Sequence, residues 1–151
     1  MSNPYPRHHA RSVGGLFGIG LLLLALSGCD KGREFPAGYQ SPPVPYERLA
    51  SKASQQTGRQ LFELHCSQCH GENADGKGTI RRSLSSKPVD FTSLEWRQQV
   101  TPEWVYYVIL EGRKHTAMAG WGTKLPDEAS WDLTAFVLSV TDGRHGPQPP
   151  S

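Results

Sequence analysis

The residues best suited to chemistry form the run Cys66-Ser67-Gln68-Cys69-His70. Two thiols at this spacing can add across the two vinyl groups of one haem, and the adjacent histidine can then present its imidazole to the iron. A thioredoxin-like redox pair would require a preceding strand within a βαβ unit, and a zinc site would require a second Cys or His pair; the sequence has neither pattern. The spacing therefore predicts one covalently attached haem c, with Cys66 and Cys69 as its attachment points and His70 as the first axial iron ligand.

The second axial ligand is predicted to be Met118. The chain has two methionines, and the other one is the initiator, which belongs to a segment expected to be removed. Met118 lies far enough along the chain from His70 for the polypeptide to pass around the haem. A thioether opposite a histidine raises the reduction potential, which suits an electron carrier. His115 is the alternative ligand, and a bis-histidine haem would have a lower potential. His65 is a weaker alternative, because it directly precedes Cys66.

Three helices are predicted to position these residues, which makes the domain all-α. The first helix runs into Cys66, with Thr57 or Ser54 as its N-cap. The third covers about residues 127–140, where apolar side chains recur at helical spacing. Loops rich in glycine and serine join the helices. A core this small usually needs a disulfide, a metal or a cofactor to be stable, and the apolar surface of a porphyrin would complete it.

The second helix has the clearest boundaries. Thr101 is its predicted N-cap, Pro102 its first residue and Gly112 its end. Three aromatic residues in and before this helix are expected in the core, with contact to the haem carboxylates as the alternative: Trp96, Tyr106 and Tyr107.

The N-terminal segment differs from the rest of the chain. Arg7 and Arg11 precede an uncharged apolar run of about 14 residues, whereas about 20 are needed to cross a hydrocarbon core. Residues 1–28 therefore predict a secretory signal peptide. Without this segment, the chain has 14 basic and 14 acidic side chains. This balance gives no electrostatic reason to expect nucleic acid or anionic lipid as a partner.

A third cysteine, Cys29, directly follows this segment. The run Leu26-Ser27-Gly28-Cys29 resembles the bacterial lipobox, in which the cysteine is acylated and becomes the new N-terminus. The resemblance implies that Cys29 anchors the protein on the periplasmic side of a bacterial membrane. Asp30 resembles a retention signal for the inner membrane, which favours that membrane.

Composition divides the remaining chain into three parts. Residues 29–53 contain several prolines and no sustained apolar period, which predicts a lipidated cysteine followed by a flexible linker. An ordered segment docked on a partner is the alternative. Residues 54–142 are predicted to form the haem domain, and residues 143–151 a disordered tail.

The sequence resembles the monohaem class I cytochromes c, particularly the bacterial lipoprotein forms, over about residues 58–139. The likeness is carried by Gly58-Arg59-x-Leu61-Phe62, Cys66-x-x-Cys69-His70-Gly71, Asp75-Gly76-Lys77-Gly78, Lys87-Pro88-x-Asp90-Phe91 and Met118. It implies a small class I cytochrome c fold in which the first and last helices cross tightly, with Gly58, Phe62 and Phe136 at the crossing.

This resemblance also implies Met118 as the iron ligand, although many relatives have proline where this chain has Ala119. In many relatives a proline carbonyl accepts the Nδ1–H of the ligand histidine. Thr79 occupies that position here, and its carbonyl is expected to serve instead.

Together these features predict a membrane-anchored single-electron carrier and not an enzyme. Two axial ligands leave the iron no open coordination position, and no arrangement of acid, base and nucleophile indicates hydrolysis. The alternatives are a haem c subunit of a multi-subunit membrane oxidoreductase and a haem-based ligand sensor. The protein is expected to have redox protein partners. Six cations in the two loops beside the haem indicate either an acidic docking surface on those partners or, as the alternative, an ordinary solvated loop surface: Arg81, Arg82, Lys87, Arg113, Lys114 and Lys124.

Overall fold

The fold is organised by the crossing of two long helices, α2 (Lys52–His65) and α6 (Asp127–Ser139). The computed structural model describes residues 33–140. Gly58 in α2 lies against the backbone of α6, where a Cβ atom would overlap the carbonyl oxygen of Asp132. Beside this contact, the ring centroids of Phe62 and Phe136 are 5.0 Å apart. The tight crossing predicted at Gly58, Phe62 and Phe136 is confirmed.

Four shorter helices complete the set in the described part of the chain: α1 (Tyr46–Ala50), α3 (Ser67–His70), α4 (Leu94–Gln98) and α5 (Pro102–Glu111), with a 3-10 turn at Arg81–Ser83. No β-strand occurs within residues 33–140, which confirms the all-α prediction. Helix α5 packs against α6, and Tyr106 and Trp131 stack there with their ring centroids 4.0 Å apart. Tyr106 is therefore a core side chain, as expected.

Capping chemistry explains where the helices begin and end. Helix α5 follows Thr101, whose hydroxyl accepts a first-turn backbone N–H at 3.2 Å, and it ends at Gly112, as predicted. The predicted N-cap of α2 was wrong. Ser51 fills that role and accepts the backbone N–H of Ser54 at 3.4 Å. Ser54 and Thr57, the two predicted caps, lie inside the helix, whereas Ser51 has the extended backbone of a residue that precedes one.

Residues 33–53 lie within the linker predicted from composition, and the structure folds them onto the helical domain. They include α1, in which Arg48 forms an ion pair with Asp132 of α6 at 2.7 Å. Nearer the N-terminus, Phe35 and Tyr39 pack against α5. The described part of this segment is therefore packed on the domain, in contrast to the flexible linker that was predicted. The physical reason is that a few aromatic side chains suffice to dock a short segment on an apolar surface.

Several predictions concern parts of the chain outside the described residues. These are the signal peptide over 1–28, the acylated Cys29 and the tail over 143–151. Between residues 33 and 140, no helix is long and apolar enough to cross a membrane.

Candidate functional site

A cavity of about 560 Å³ is lined by α2, α3, α5, α6 and the loops that precede α4 and α6. Its volume falls in the range of small-molecule and cofactor sites. All four residues predicted to hold haem line this one cavity: Cys66, Cys69, His70 and Met118. The chain thus brings together groups that are up to 52 positions apart in the sequence.

His70 is held by the end of α3 and by a distant loop. Its Nδ1 lies 3.4 Å from the carbonyl oxygen of Val89. When Nδ1 carries the proton and donates it there, Nε2 is available to a metal. The expected acceptor, the carbonyl of Thr79, is not the one used. Thr79 is exposed, and the loop at Val89 is what brings a carbonyl oxygen to Nδ1 of His70.

Burial also controls the charge of this histidine. It lowers the pKa of His70, and the contact with the Val89 carbonyl opposes the change only in part. The imidazole is therefore neutral at pH 7, which is the form that binds a metal.

The glycine-rich motif after the cysteines supports the backbone of α3. Gly71 ends this helix with a φ of 81°, a left-handed conformation that glycine adopts without strain. Gly78 then packs directly on the helix, where a Cβ atom would overlap the backbone of Gln68 and Cys69. Its N–H donates to the carbonyl oxygen of Cys69 at 3.2 Å. The motif thus holds both thiols and the histidine at the cavity wall.

The Cys66 thiol does not have the properties of a redox-active cysteine. Burial, together with a smaller contribution from the neighbouring Cys69, raises the pKa of the Cys66 thiol to about 12. Redox-active cysteines have lowered thiol pKa values. Among residues 33–140, no group of three or more His, Cys, Asp or Glu side chains could hold a metal ion by itself.

Met118 is presented by a short loop between α5 and α6. Gly112 and Ala119 form an antiparallel bridge across the base of this loop, and Arg113 N–H donates to the Met118 carbonyl at 2.9 Å. The Thr116 hydroxyl accepts the Met118 N–H at 3.2 Å. These bonds fix the backbone of Met118, so that its flexible thioether extends from a constrained position.

The two alternative histidines also line the cavity, so position alone does not separate them from Met118. His115 is exposed and has a φ of 60° in the same loop. His65 lies at the end of α2, and its ring centroid is 5.1 Å from that of Trp121. The sequence disfavoured His65 because it directly precedes Cys66, and the structure nevertheless brings it to the cavity wall.

Aromatic rings form much of the remaining wall. Phe91 stacks on His70 at 4.7 Å between centroids, and Trp96 meets Phe91 edge-on at 4.9 Å. Trp104 lines the cavity from α5. Trp96 was expected in the core, and it packs against the core while facing the cavity. Sequence analysis did not select Trp104, because a tryptophan at helical spacing is usually a core residue.

The charged residues that line the cavity are all basic. Arg33, Lys87, Arg113 and Lys114 contribute to the lining, and no Asp or Glu of the described residues does. Three of these belong to the predicted basic loops, whereas Arg33 lies in the predicted linker. Arg81, Arg82 and Lys124 do not line the cavity. Only the aromatic residues near Arg33 could have indicated from sequence that its segment docks on the domain.

This cavity fits haem c in its donor set and its polarity. A thiol pair at the attachment spacing, a neutral imidazole and a thioether face an otherwise largely apolar wall. The basic residues at the wall suit the two carboxylates that a haem carries.

Comparison with known proteins identifies relatives of this helical domain. A curated relative, the cbb3-type cytochrome c oxidase subunit CcoP of Azospirillum brasilense, is 24% identical over 106 residues, which cover 65% of this chain and 32% of the relative. The chain thus spans about a third of the length of the curated relative that it matches.

Among solved structures, the reducing HAO-like protein complex of Kuenenia stuttgartiensis superposes with a TM-score of 0.55 at 24% identity, covering 71% of this chain and 49% of that one. At this identity the similarity shows the fold alone. Cytochrome CL of Methylophaga aminisulfidivorans matches with a TM-score of 0.46 at 16% identity, covering 72% of this chain and 77% of that one.

The model of one protein family matches residues 53–137, which is more than half of the chain and includes the entire cavity apart from Arg33. The chain therefore belongs to the cytochrome c family described as cytochrome c oxidase, cbb3-type, subunit III, and this membership implies haem c as its cofactor.

Proposed function

We propose that the protein is a single-electron carrier with one haem c, bound through thioether bonds to Cys66 and Cys69 and with His70 and Met118 as axial ligands. The observation that carries this proposal is the single apolar cavity that all four side chains line. When bound there, haem iron supplies a one-electron couple. With His70 and Met118 both bound to the iron, no coordination position would remain for a substrate, and the protein would only pass electrons.

The chain's own residues each have a defined part in this function. The Val89 carbonyl orients the His70 ring through Nδ1, and the bridged loop limits how far the Met118 thioether can move away. Apolar side chains such as Phe62 exclude water from the cavity. The protein around the haem would therefore change little between the oxidised and the reduced state.

The test begins with the haem-loaded protein. A pyridine haemochrome spectrum reports two thioether bonds, and the weak near-infrared band of ferric haem reports a methionine ligand. A redox titration should follow a reversible one-electron curve. Haem that is extracted by acidified acetone would contradict covalent attachment. Rapid and complete CO binding by the ferrous protein at neutral pH would favour the ligand sensor instead.

A second candidate function is a haem c subunit of a multi-subunit membrane oxidoreductase. It is favoured by the family match over residues 53–137 and by the curated relative, which is named as an oxidase subunit. The two candidate functions differ in whether the protein is bound to a larger enzyme or free. A subunit would co-purify with an enzyme in mild detergent, whereas a carrier would migrate alone in size-exclusion chromatography at physiological salt.

We further propose that Cys29 is acylated and holds the protein on the periplasmic side of a membrane, with the inner membrane favoured. Residues 33–53 pack on the helical domain, so they would not serve as a long flexible linker to the anchor. Replacing Cys29 with Ala should move the protein from the detergent phase to the aqueous phase in a Triton X-114 partition.

A further inference from the structure

The segment from Arg33 to Ser41, here called the N-terminal clamp, is docked on α5 outside the part of the chain that matches the family. A turn brings its two aromatic rings together: Tyr39 N–H donates to the Pro36 carbonyl at 3.0 Å, and Phe35 and Tyr39 stack at 5.0 Å between centroids. Gly38 supplies the positive φ of 82° that this turn requires.

The clamp is attached through aromatic contacts to α5. Phe35 meets Trp104 and Tyr107 edge-on, each at 5.5 Å between centroids, and Tyr39 meets Tyr107 at 4.7 Å. Aromatic pairs of this kind stabilise a contact beyond the area that they bury. Since Trp104 also lines the cavity, the clamp packs on the outer side of the cavity wall.

At the start of the clamp, Arg33 is fixed beside the cavity. Its Nη1 donates to the backbone carbonyl of Gln99 and its Nη2 to the side-chain oxygen of Gln99, both at 2.8 Å. The Arg33 side chain is part of the cavity lining. A guanidinium remains charged at all physiological pH values, so the clamp places a permanent positive charge in the wall of a cavity to which the described residues contribute no carboxylate.

We propose that the N-terminal clamp positions Arg33 to offset the negative charge of the carboxylates of the bound haem, and that this charge raises the reduction potential of the protein. The inference rests on the proposed electron-carrier function and identifies a positioning residue for it. Reduction adds one electron to the haem, and a nearby cation stabilises the reduced form relative to the oxidised one. Arg33 would thereby set the potential from a segment that precedes the family domain.

The decisive variant is Arg33→Gln in the full, haem-loaded protein. At the midpoint potential of the wild type, the ratio of reduced to oxidised protein should fall roughly three- to tenfold, as expected when one partly screened charge is lost from the cavity wall. A tenfold change corresponds to about 59 mV for a one-electron couple. Arg33→Lys, which keeps the charge, should lose less than half of this effect.

Two further variants distinguish the effect of the Arg33 charge at the cavity wall from a general effect of substitution on the protein. Arg97→Gln removes the same charge from α4, where the side chain does not line the cavity, and it should change the ratio by less than twofold. Phe35→Ala weakens the docking of the clamp and should lower the ratio in the same direction as Arg33→Gln. In the double variant the two effects should be clearly less than additive, because both remove the same charge from the cavity wall.

A wild-type protein without covalent haem or a reversible one-electron couple would overturn the proposed function, and this inference with it. If the wild type has that couple and Arg33→Gln leaves the ratio within twofold, only the inference is overturned. Equal effects of Arg33→Gln and Arg97→Gln would also overturn it, because the position of the charge would then not matter.

Discussion

The crossing of α2 and α6 predicts that Gly58→Ala destabilises the protein, although the same change usually stabilises a helix. Alanine is favoured over glycine in a helix interior by about 1 kcal/mol. Against this, the new Cβ atom would overlap the carbonyl oxygen of Asp132 and lie 2.9 Å from the Cβ atom of Phe136. Both obstacles are backbone or backbone-proximal atoms, which cannot rotate away, so the two helices must move apart.

The magnitude follows from these opposing terms. Overpacking a core typically costs 1–3 kcal/mol, occasionally more, and a clash with backbone belongs at the upper end of this range. After subtracting the helix preference, we expect a net loss of about 1–2 kcal/mol in the free energy of unfolding. For a domain of this size, that corresponds to a fall in Tm of roughly 5–15 °C.

The assay is thermal unfolding of the haem-loaded variant, followed by far-ultraviolet circular dichroism and by the Soret band. Thr57→Ala is the matched control, because Thr57 is exposed at the preceding position of α2. That change improves helix propensity without a steric conflict, so its Tm should equal or slightly exceed that of the wild type. A Gly58→Ala variant as stable as the wild type would refute the close packing of these two helices.

Three further predictions concern the proposed haem ligands. Met118→His should abolish the near-infrared band and lower the reduction potential, because imidazole replaces the thioether; a band that persists would contradict the axial assignment. His115→Ala should leave both the band and the potential unchanged, since this side chain is exposed in its loop, and loss of the band would make His115 the ligand or its support. Cys66→Ala should shift the pyridine haemochrome maximum to longer wavelength as one thioether bond is lost, and adding Cys69→Ala should make the haem extractable by acidified acetone.

Sequence reasoning succeeded where a feature depends on residues close together in the chain. The cysteine and histidine spacing predicted a haem site, and the ends of α5 followed from a threonine, a proline and a glycine at its boundaries. Family membership over residues 53–137 agrees with the cytochrome c resemblance found in the motifs. Gly58 and the two phenylalanines at the helix crossing were also anticipated, because that resemblance assigns a small residue to the closest approach.

Sequence reasoning failed where a polar group had a choice of partners. The Nδ1 atom of His70 faces the carbonyl of Val89 and not that of Thr79. Any backbone carbonyl can accept this hydrogen bond, and the path of the loop decides which carbonyl lies within reach. Likewise, several hydroxyl residues could have capped α2, and Ser51 does so because its own backbone is extended.

The sequence by itself therefore determined the chemistry of this protein: a thiol pair and an imidazole at the spacing for haem c, a methionine later in the chain, and helices whose ends are encoded by neighbouring residues. Tertiary structure alone decided that residues 33–53 are folded and that Arg33 reaches the cavity. The physical reason is that docking depends on the shape and polarity of a surface built from distant residues. The rings of Trp104 and Tyr107 create this surface for the N-terminal clamp only once α5 has packed into the domain.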